Sequence, residues 1–168
     1  MASVGTLPDM RELFQKHGPL VYRRARHILG NDADAADATQ EIFIRALRGA
    51  DSFQGQSQVT TWLYRITTNY CLNALRDRRR RRELFEEHVA RAPRQESSEP
   101  ADSVTLRRLL SGAPEEQARA AIYVFLDGMS HDEAAEVLGV SRRTVGNLLE
   151  RFQRAAQALE DAGGGGNA

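Results

Sequence analysis

Cysteine is almost missing from this 168-residue chain: Cys71 stands alone, which excludes an intrachain disulfide framework and suits a reducing compartment. No apolar run is long enough to cross a bilayer and no secretory leader is evident, so a soluble, cytoplasmic protein is expected. The four histidines, His17, His27, His88 and His131, are scattered, with no Cys/His spacing suited to zinc. There is no phosphate-cradling glycine motif and no Ser/His/Asp grouping. No metal, cofactor or catalytic residue is therefore expected, and the chain does not read as an enzyme. Lysine is nearly absent too, Lys16 being the only one. The remaining cations are arginines, a bias that favours planar, forked contacts with phosphates and bases or that simply reflects codon usage. The zero formal net charge hides an asymmetry, since residues 1–92 hold 15 basic and 11 acidic residues while residues 93–168 hold 8 and 12. The first half is the better candidate for binding a polyanion.

What is present centres on Phe53–Arg82, FQGQSQVTTWLYRITTNYCLNALRDRRRRR. A polar loop, Phe53–Ser57, leads into a stretch without Gly or Pro whose apolar spacing predicts one long helix, from near Thr60 to about Val89. At 100° per residue, Val59, Leu63, Ile66, Tyr70 and Ala74 share one stripe, expected to be the core face. A second stripe aligns Arg65, Asn69 and Arg76, with Asn73 and Trp62 at its edge, and five arginines follow at 78–82. Arg and Asn beside aromatics suit phosphate contacts and stacking on unpaired bases. A solvated basic helix end with Trp62 in the core fits the same pattern.

Upstream, Pro8–Gly18 reads as a helix carrying Met10, Leu13 and Phe14, which Gly18-Pro19 should break. Pro19 would open a second piece, with Leu20, Val21, Ala25, Ile28 and Leu29 apolar and Gly30 at its end. Asn31 or Asp32 should cap a helix over Asp34–Arg48 with Ala35, Ala38, Ile42 and Ala46 inward. Its early Asp32, Asp34 and Asp37 suit a helix N-terminus or a basic partner.

Downstream, Pro93–Ser103 is polar, holds two prolines and reads as a linker. A short helix over Val104–Leu110 follows, then one opened by Pro114 with Ala118, Ala121, Ile122, Phe125 and Leu126 buried. Ser130 and Glu133 form a capping box. The helix they start, with Ala134, Ala135, Val137 and Leu138, ends at Gly139, and Ser141 caps the next one. This is helix-turn-helix spacing, although a plain αα-hairpin has it too. In the last helix Val145, Leu148, Leu149, Phe152, Ala156 and Leu159 face inward. Arg143, Asn147, Arg151 and Arg154 face outward, interrupted by Glu150, and are the residue types that read a major groove. The glycine-rich tail is expected to be flexible. The fold class is all-α: two small helical domains joined by a flexible linker, the second a helix-turn-helix. Residues 8–92 form the first domain, 93–103 the linker, 104–162 the second domain and 163–168 the tail.

These residues carry a resemblance. Asp34-Ala35-Ala36-Asp37-Ala38-Thr39-Gln40-Glu41-Ile42-Phe43, Phe53-x-Gly55, Thr61-Trp62-Leu63-Tyr64-Arg65-Ile66 with Asn69, and the arginine run resemble extracytoplasmic-function (ECF) RNA polymerase sigma factors of the sigma-70 family. Asp127-Gly128-Met129-Ser130, Glu133-Ala134-Ala135, Leu138-Gly139-Val140-Ser141 and Thr144-Val145 resemble that family's fourth conserved region. The likeness spans about Met10 to Leu159, with two regions in the correct order across a polar linker.

The resemblance implies a promoter-specificity factor. Asp37, Gln40 and Glu41 would bind core RNA polymerase. Phe53, Gly55, Gln56 and Ser57 would capture a flipped base of the −10 element, and Arg65, Asn69, Asn73 and Arg76, continued by Arg79 and Arg80, would line the strand-opening surface. Ser141, Arg142, Arg143, Thr144, Asn147, Arg151 and Arg154 would meet the −35 element as duplex. The implied partners are core polymerase, promoter DNA and an anti-sigma factor, with no membrane insertion. Two positions depart from the family: Gly146 stands where a lysine is common, and Glu150 where a basic residue is usual, which points to weak or altered −35 contact. The alternative is an autonomous helix-turn-helix regulator that binds duplex DNA without polymerase. An enzyme acting on nucleic acid would lack any acid, base or metal cluster.

Overall fold

The computed structural model describes residues 9–53, 55, 58–88 and 101–164, and the described residues hold helices and no strand. They fall into two compact units, with the division between Asn73 and Ala74.

In the first unit, α1 (Met10–Leu29) runs straight through the expected break at Gly18-Pro19. Pro19 is exposed, so the helical carbonyl its missing N–H leaves unbonded can face water. Gly18 is buried beside the Phe14 ring. Burial of Leu13, Val21, Ala25, Ile28 and Leu29 along one face outweighs the lost hydrogen bond. Gly30 ends α1 in the left-handed conformation. Asn31, not Asp32, then caps α2 (Asp32–Arg48) by accepting the Asp34 N–H at 2.8 Å. Asp32 instead accepts from the Arg26 guanidinium at 2.8 Å and the Tyr22 hydroxyl at 3.0 Å, and the arginine chiefly holds its carboxyl below the ordinary range. As expected, α2 buries Ala35, Ala38, Ile42 and Ala46, the three alanines letting α1 approach closely while Ile42 fills the core. The Phe14 and Phe43 rings meet edge-on at 4.8 Å.

Helix α3 (Val59–His88) starts near the expected residue, but its core face is rotated from the expected stripe. The buried set is Leu63, Thr67, Thr68, Cys71, Leu72 and Leu75, whereas Val59, Ile66, Tyr70 and Ala74 are half-buried. Thr67 is tolerated inside because its hydroxyl donates to the Leu63 carbonyl at 2.7 Å. A stripe drawn from apolar residues alone misses such a threonine. Burial pushes the Cys71 thiol up to about 12, against the pull of the Arg24 guanidinium, which makes it structural rather than reactive.

In the second unit, α4 (Ala101–Gly112) takes in the last three residues of the expected linker, and residues 89–100, which hold the rest of it, lie outside the described residues. Pro114 caps α5 (Glu115–Ala121) from just outside it. A five-residue π-turn, Ile122–Leu126, follows, closed by the Asp127 N–H on the Ile122 carbonyl at 3.0 Å. The wider turn shifts the helical phase, so Tyr123 is buried and Phe125, expected inward, is 48% exposed. Helix α6 (His131–Leu138) and α7 (Arg142–Gly164) complete the unit. Val145, Leu148, Leu149 and Phe152 pack inward as expected, but Leu159 is exposed. Helix α7 continues through Gly164, beyond the expected start of the tail, and residues 165–168 lie outside the description.

Candidate nucleic-acid interface

The aromatic edge of α3 is built by packing across the loop before it. The Phe53 ring lies 5.2 Å from that of Trp62, tilted by 55°, and both residues are half-buried, so Trp62 is neither a core residue nor free in solvent. Gly55 is exposed at φ 67°, a conformation that glycine adopts without a Cβ clash. Gln56 and Ser57 lie outside the described residues. From Trp62 the helix presents Arg65, Asn69 and Asn73, all exposed. Arg76 shares their stripe but is half-buried in the second unit, where its guanidinium donates to the Ala113 carbonyl at 3.3 Å and sits 3.5 Å from Glu115. Arg79 is tied to Glu83 at 2.7 Å, whereas Arg80 is exposed. A face of amides, one guanidinium and an aromatic pair can stack on and hydrogen-bond to unpaired bases while the following arginines meet phosphates.

On α2, Asp37 and Gln40 are exposed and Glu41 is half-buried. The Glu41 carboxylate accepts from Arg45 at 3.2 Å, and Arg45 in turn lies 4.8 Å over the Tyr70 ring of α3. Burial raises the Tyr70 phenol, and Glu41 adds to it. The acidic face is thus anchored to α3 through Arg45, a residue the sequence reading passed over. Its four-residue spacing from Glu41 was the available signal. Asp37 is left as the more accessible acid for a basic partner.

The helix-turn-helix is closed by local bonds. Ser130 accepts the Glu133 N–H at 3.2 Å, and the Glu133 carboxylate accepts the Ser130 N–H at 2.8 Å, which holds that carboxyl below its ordinary range. Gly139 turns the chain at φ 69°, and the Ser141 hydroxyl accepts the Thr144 N–H at 3.1 Å to start α7. Arg143, Asn147 and Arg151 stand exposed on α7, with Arg142 beside Asp132 at 3.8 Å. Arg154 is exposed but held by Glu150 at 2.5 Å. Thr144 is half-buried and Ser141 exposed. A Cβ added to Gly146 would meet no atom within 4 Å. Among the described residues no group of acidic, His or Cys side chains could hold a metal ion.

The family profile "Sigma-70 region 2" matches residues 13–81, and "Sigma-70, region 4" matches residues 103–151. The chain is 35% identical to the ECF RNA polymerase sigma factor SigE of Mycolicibacterium smegmatis over 92% of its own length and 62% of that protein's. It is also 35% identical to the ECF RNA polymerase sigma factor SigM of Mycobacterium tuberculosis, over 83% of this chain and 71% of the relative. Its fold resembles that of the sigma factor RpoE solved with the anti-sigma factor NepR from Bartonella quintana, with a TM-score of 0.54 at 23% identity, covering 92% of this chain and 98% of the other.

Proposed function

This chain belongs to the ECF RNA polymerase sigma factors, and on that premise we propose that it binds core RNA polymerase and directs promoter-specific transcription initiation. The observation that carries this function is the pairing, in one chain, of an aromatic–amide–arginine face in region 2 with a capped helix-turn-helix in region 4. Bases pulled out of a stack need flat partners and pockets, while an intact duplex is read by a helix in its major groove. Asp37, Gln40 and Glu41 then meet core polymerase. Phe53, Gly55, Gln56 and Ser57, with Arg65, Asn69, Asn73, Arg76, Arg79 and Arg80, serve the −10 element. Ser141, Arg142, Arg143, Thr144, Asn147, Arg151 and Arg154 serve the −35 element.

The division of labour we propose runs 8–92 and 104–162, joined by 93–103. The chain performs no chemistry of its own in this scheme; it acts as an initiation factor in the cytoplasm, where the polymerase works. Among the described residues no helix is long and apolar enough to cross a membrane. An anti-sigma factor is a further partner we propose, as one is bound to the Bartonella protein.

The test is to mix the protein with core RNA polymerase and genomic DNA and to sequence transcript starts. New starts that share upstream sequence are expected. Starts identical to those of core polymerase alone, together with tight duplex binding by the chain by itself, would replace this function with that of an autonomous helix-turn-helix regulator.

A further inference from the structure

Helix α1 turns most of its charged side chains to solvent; Arg11, Arg23 and Arg26 are exposed. Arg24 is the exception, at 6% exposure. A guanidinium taken out of water must replace its hydration with fixed partners, whereas a methionine would fill similar space with no such demand. Two of its contacts fall on one residue of α3. The Arg24 Nη1 donates to the Tyr64 carbonyl at 2.8 Å, and Cζ lies 4.4 Å from the centroid of the Tyr64 ring.

The two contacts constrain different motions. The Tyr64 carbonyl lies inside a helix, where it already accepts the N–H four residues on, so the guanidinium takes its second lone pair and fixes α3 along its axis. The ring contact fixes α3 in rotation, because a planar cation over an aromatic face has a preferred geometry that a point charge lacks. Tyr64 sits two residues after Trp62, which packs on Phe53, and one before exposed Arg65. Any slide or rotation at Tyr64 carries both with it.

We propose that Arg24 is a positioning residue for the strand-opening surface: from inside the first unit it sets the height and rotation of the opening turns of α3, and so where Trp62 and Arg65 stand, without touching DNA. The proposal rests on the sigma-factor function above for what that surface binds. Trp62 is the chain's single tryptophan, so its fluorescence reports the same geometry with no DNA present.

The experiment compares wild type with R24M, which keeps packing bulk but loses donor and charge, and R24K, which keeps charge and a donor but loses the planar fork. Acrylamide quenching of Trp62 is measured in the free chain. Open-complex formation is measured in holoenzyme reconstituted on a duplex promoter identified from the transcript starts. Both variants should keep their helical circular dichroism and their binding to core polymerase. Trp62 quenching should rise on the order of twofold in R24M and open complexes should fall roughly tenfold, with R24K between the two, since a small misplacement of contacting groups is amplified in a geometry-dependent step. Wild-type quenching or wild-type opening in a folded R24M would overturn the proposal. If R24M does not fold, R24K decides, and its indifference in either measurement overturns the proposal equally. If wild-type protein itself opens no promoter, the sigma-factor function fails instead, and the quenching series alone still judges the hold of Arg24 on Trp62.

Discussion

The α3 surface and the α7 surface display the same residue types, arginine and asparagine, but they are held in place differently. On α7 the display depends on bonds between residues close in sequence: the Ser130–Glu133 box, the left-handed Gly139 and the Ser141 cap. On α3 it depends on contacts over distance: Phe53 on Trp62 across a loop, Arg45 of α2 over Tyr70, and Arg24 of α1 on Tyr64. A duplex offers a repeating groove of fixed shape, which a rigid, locally closed helix can enter. Unpaired bases have no such shape and must be met by groups gathered from several elements. The α7 surface also has the less favourable charge for a polyanion, because Glu150 engages Arg154 and sets a negative charge among the outward arginines.

Replacing Asp37 and Glu41 by arginine should weaken association with core polymerase on the order of a hundredfold or more, since like charges set against each other at an interface cost several kcal/mol. Co-purification measures this, with circular dichroism as the folding control. Undiminished co-purification would remove α2 from the polymerase contact.

A smaller effect is expected on α7. R143A or R151A should weaken recruitment to duplex and pre-melted templates alike, toward the lower end of the roughly 1–3 kcal/mol of a base contact. A phosphate contact would instead weaken binding uniformly across sequences and flatten the salt dependence, so affinities on point-mutated −35 sequences separate the two.

E150Q sharpens the contrast in the opposite direction. It should release Arg154 and strengthen duplex binding severalfold, with a salt slope steeper by about one unit, read from binding isotherms across salt concentrations. Unchanged affinity and slope would show that Glu150 and Arg154 lie off the DNA path.

The smallest effect concerns α7 alone. G146A should stabilise the protein by about 1 kcal/mol, because alanine is the better helix former and its Cβ meets open space. The melting temperature should rise by several degrees with the α3 surface untouched, as thermal denaturation would show. A fall would mean that the glycine is needed for a close approach.

What the sequence made legible follows the same division. Ser130, Glu133, Gly139 and Ser141 act within a few residues of themselves, so the helix-turn-helix and its outward arginines could be read directly. The acidic start of α2 and its alanine face were legible for the same reason. The core face of α3 was misread because Thr67 satisfies its hydroxyl on its own helix and behaves as a core residue. Phe125 was misplaced because nothing in the apolar spacing announces a π-turn. Pro19 was read as a break because local preference was set against no knowledge of how much of α1 is buried. Arg24 bonds to another helix, and the spacing of Arg45 from Glu41 shows their local pair but not the contact of Arg45 with Tyr70. Arg76 aligns with Asn69 on paper but bonds to the Ala113 carbonyl, so a substitution there would disturb more than one function.

The claim that the two surfaces read different states of DNA is tested most directly by Asn69 and Asn73, which are exposed on α3. The N69A/N73A double variant is compared with wild type, as holoenzyme, in binding the promoter pre-melted by mismatch over its −10 element and in binding a −35 element kept as intact duplex. A loss of roughly tenfold is expected on the pre-melted DNA, from unpaired-base contacts of about 1–3 kcal/mol, with little change on the intact duplex. Equal loss on both DNAs would contradict the claim and leave α3 as a general phosphate-binding surface.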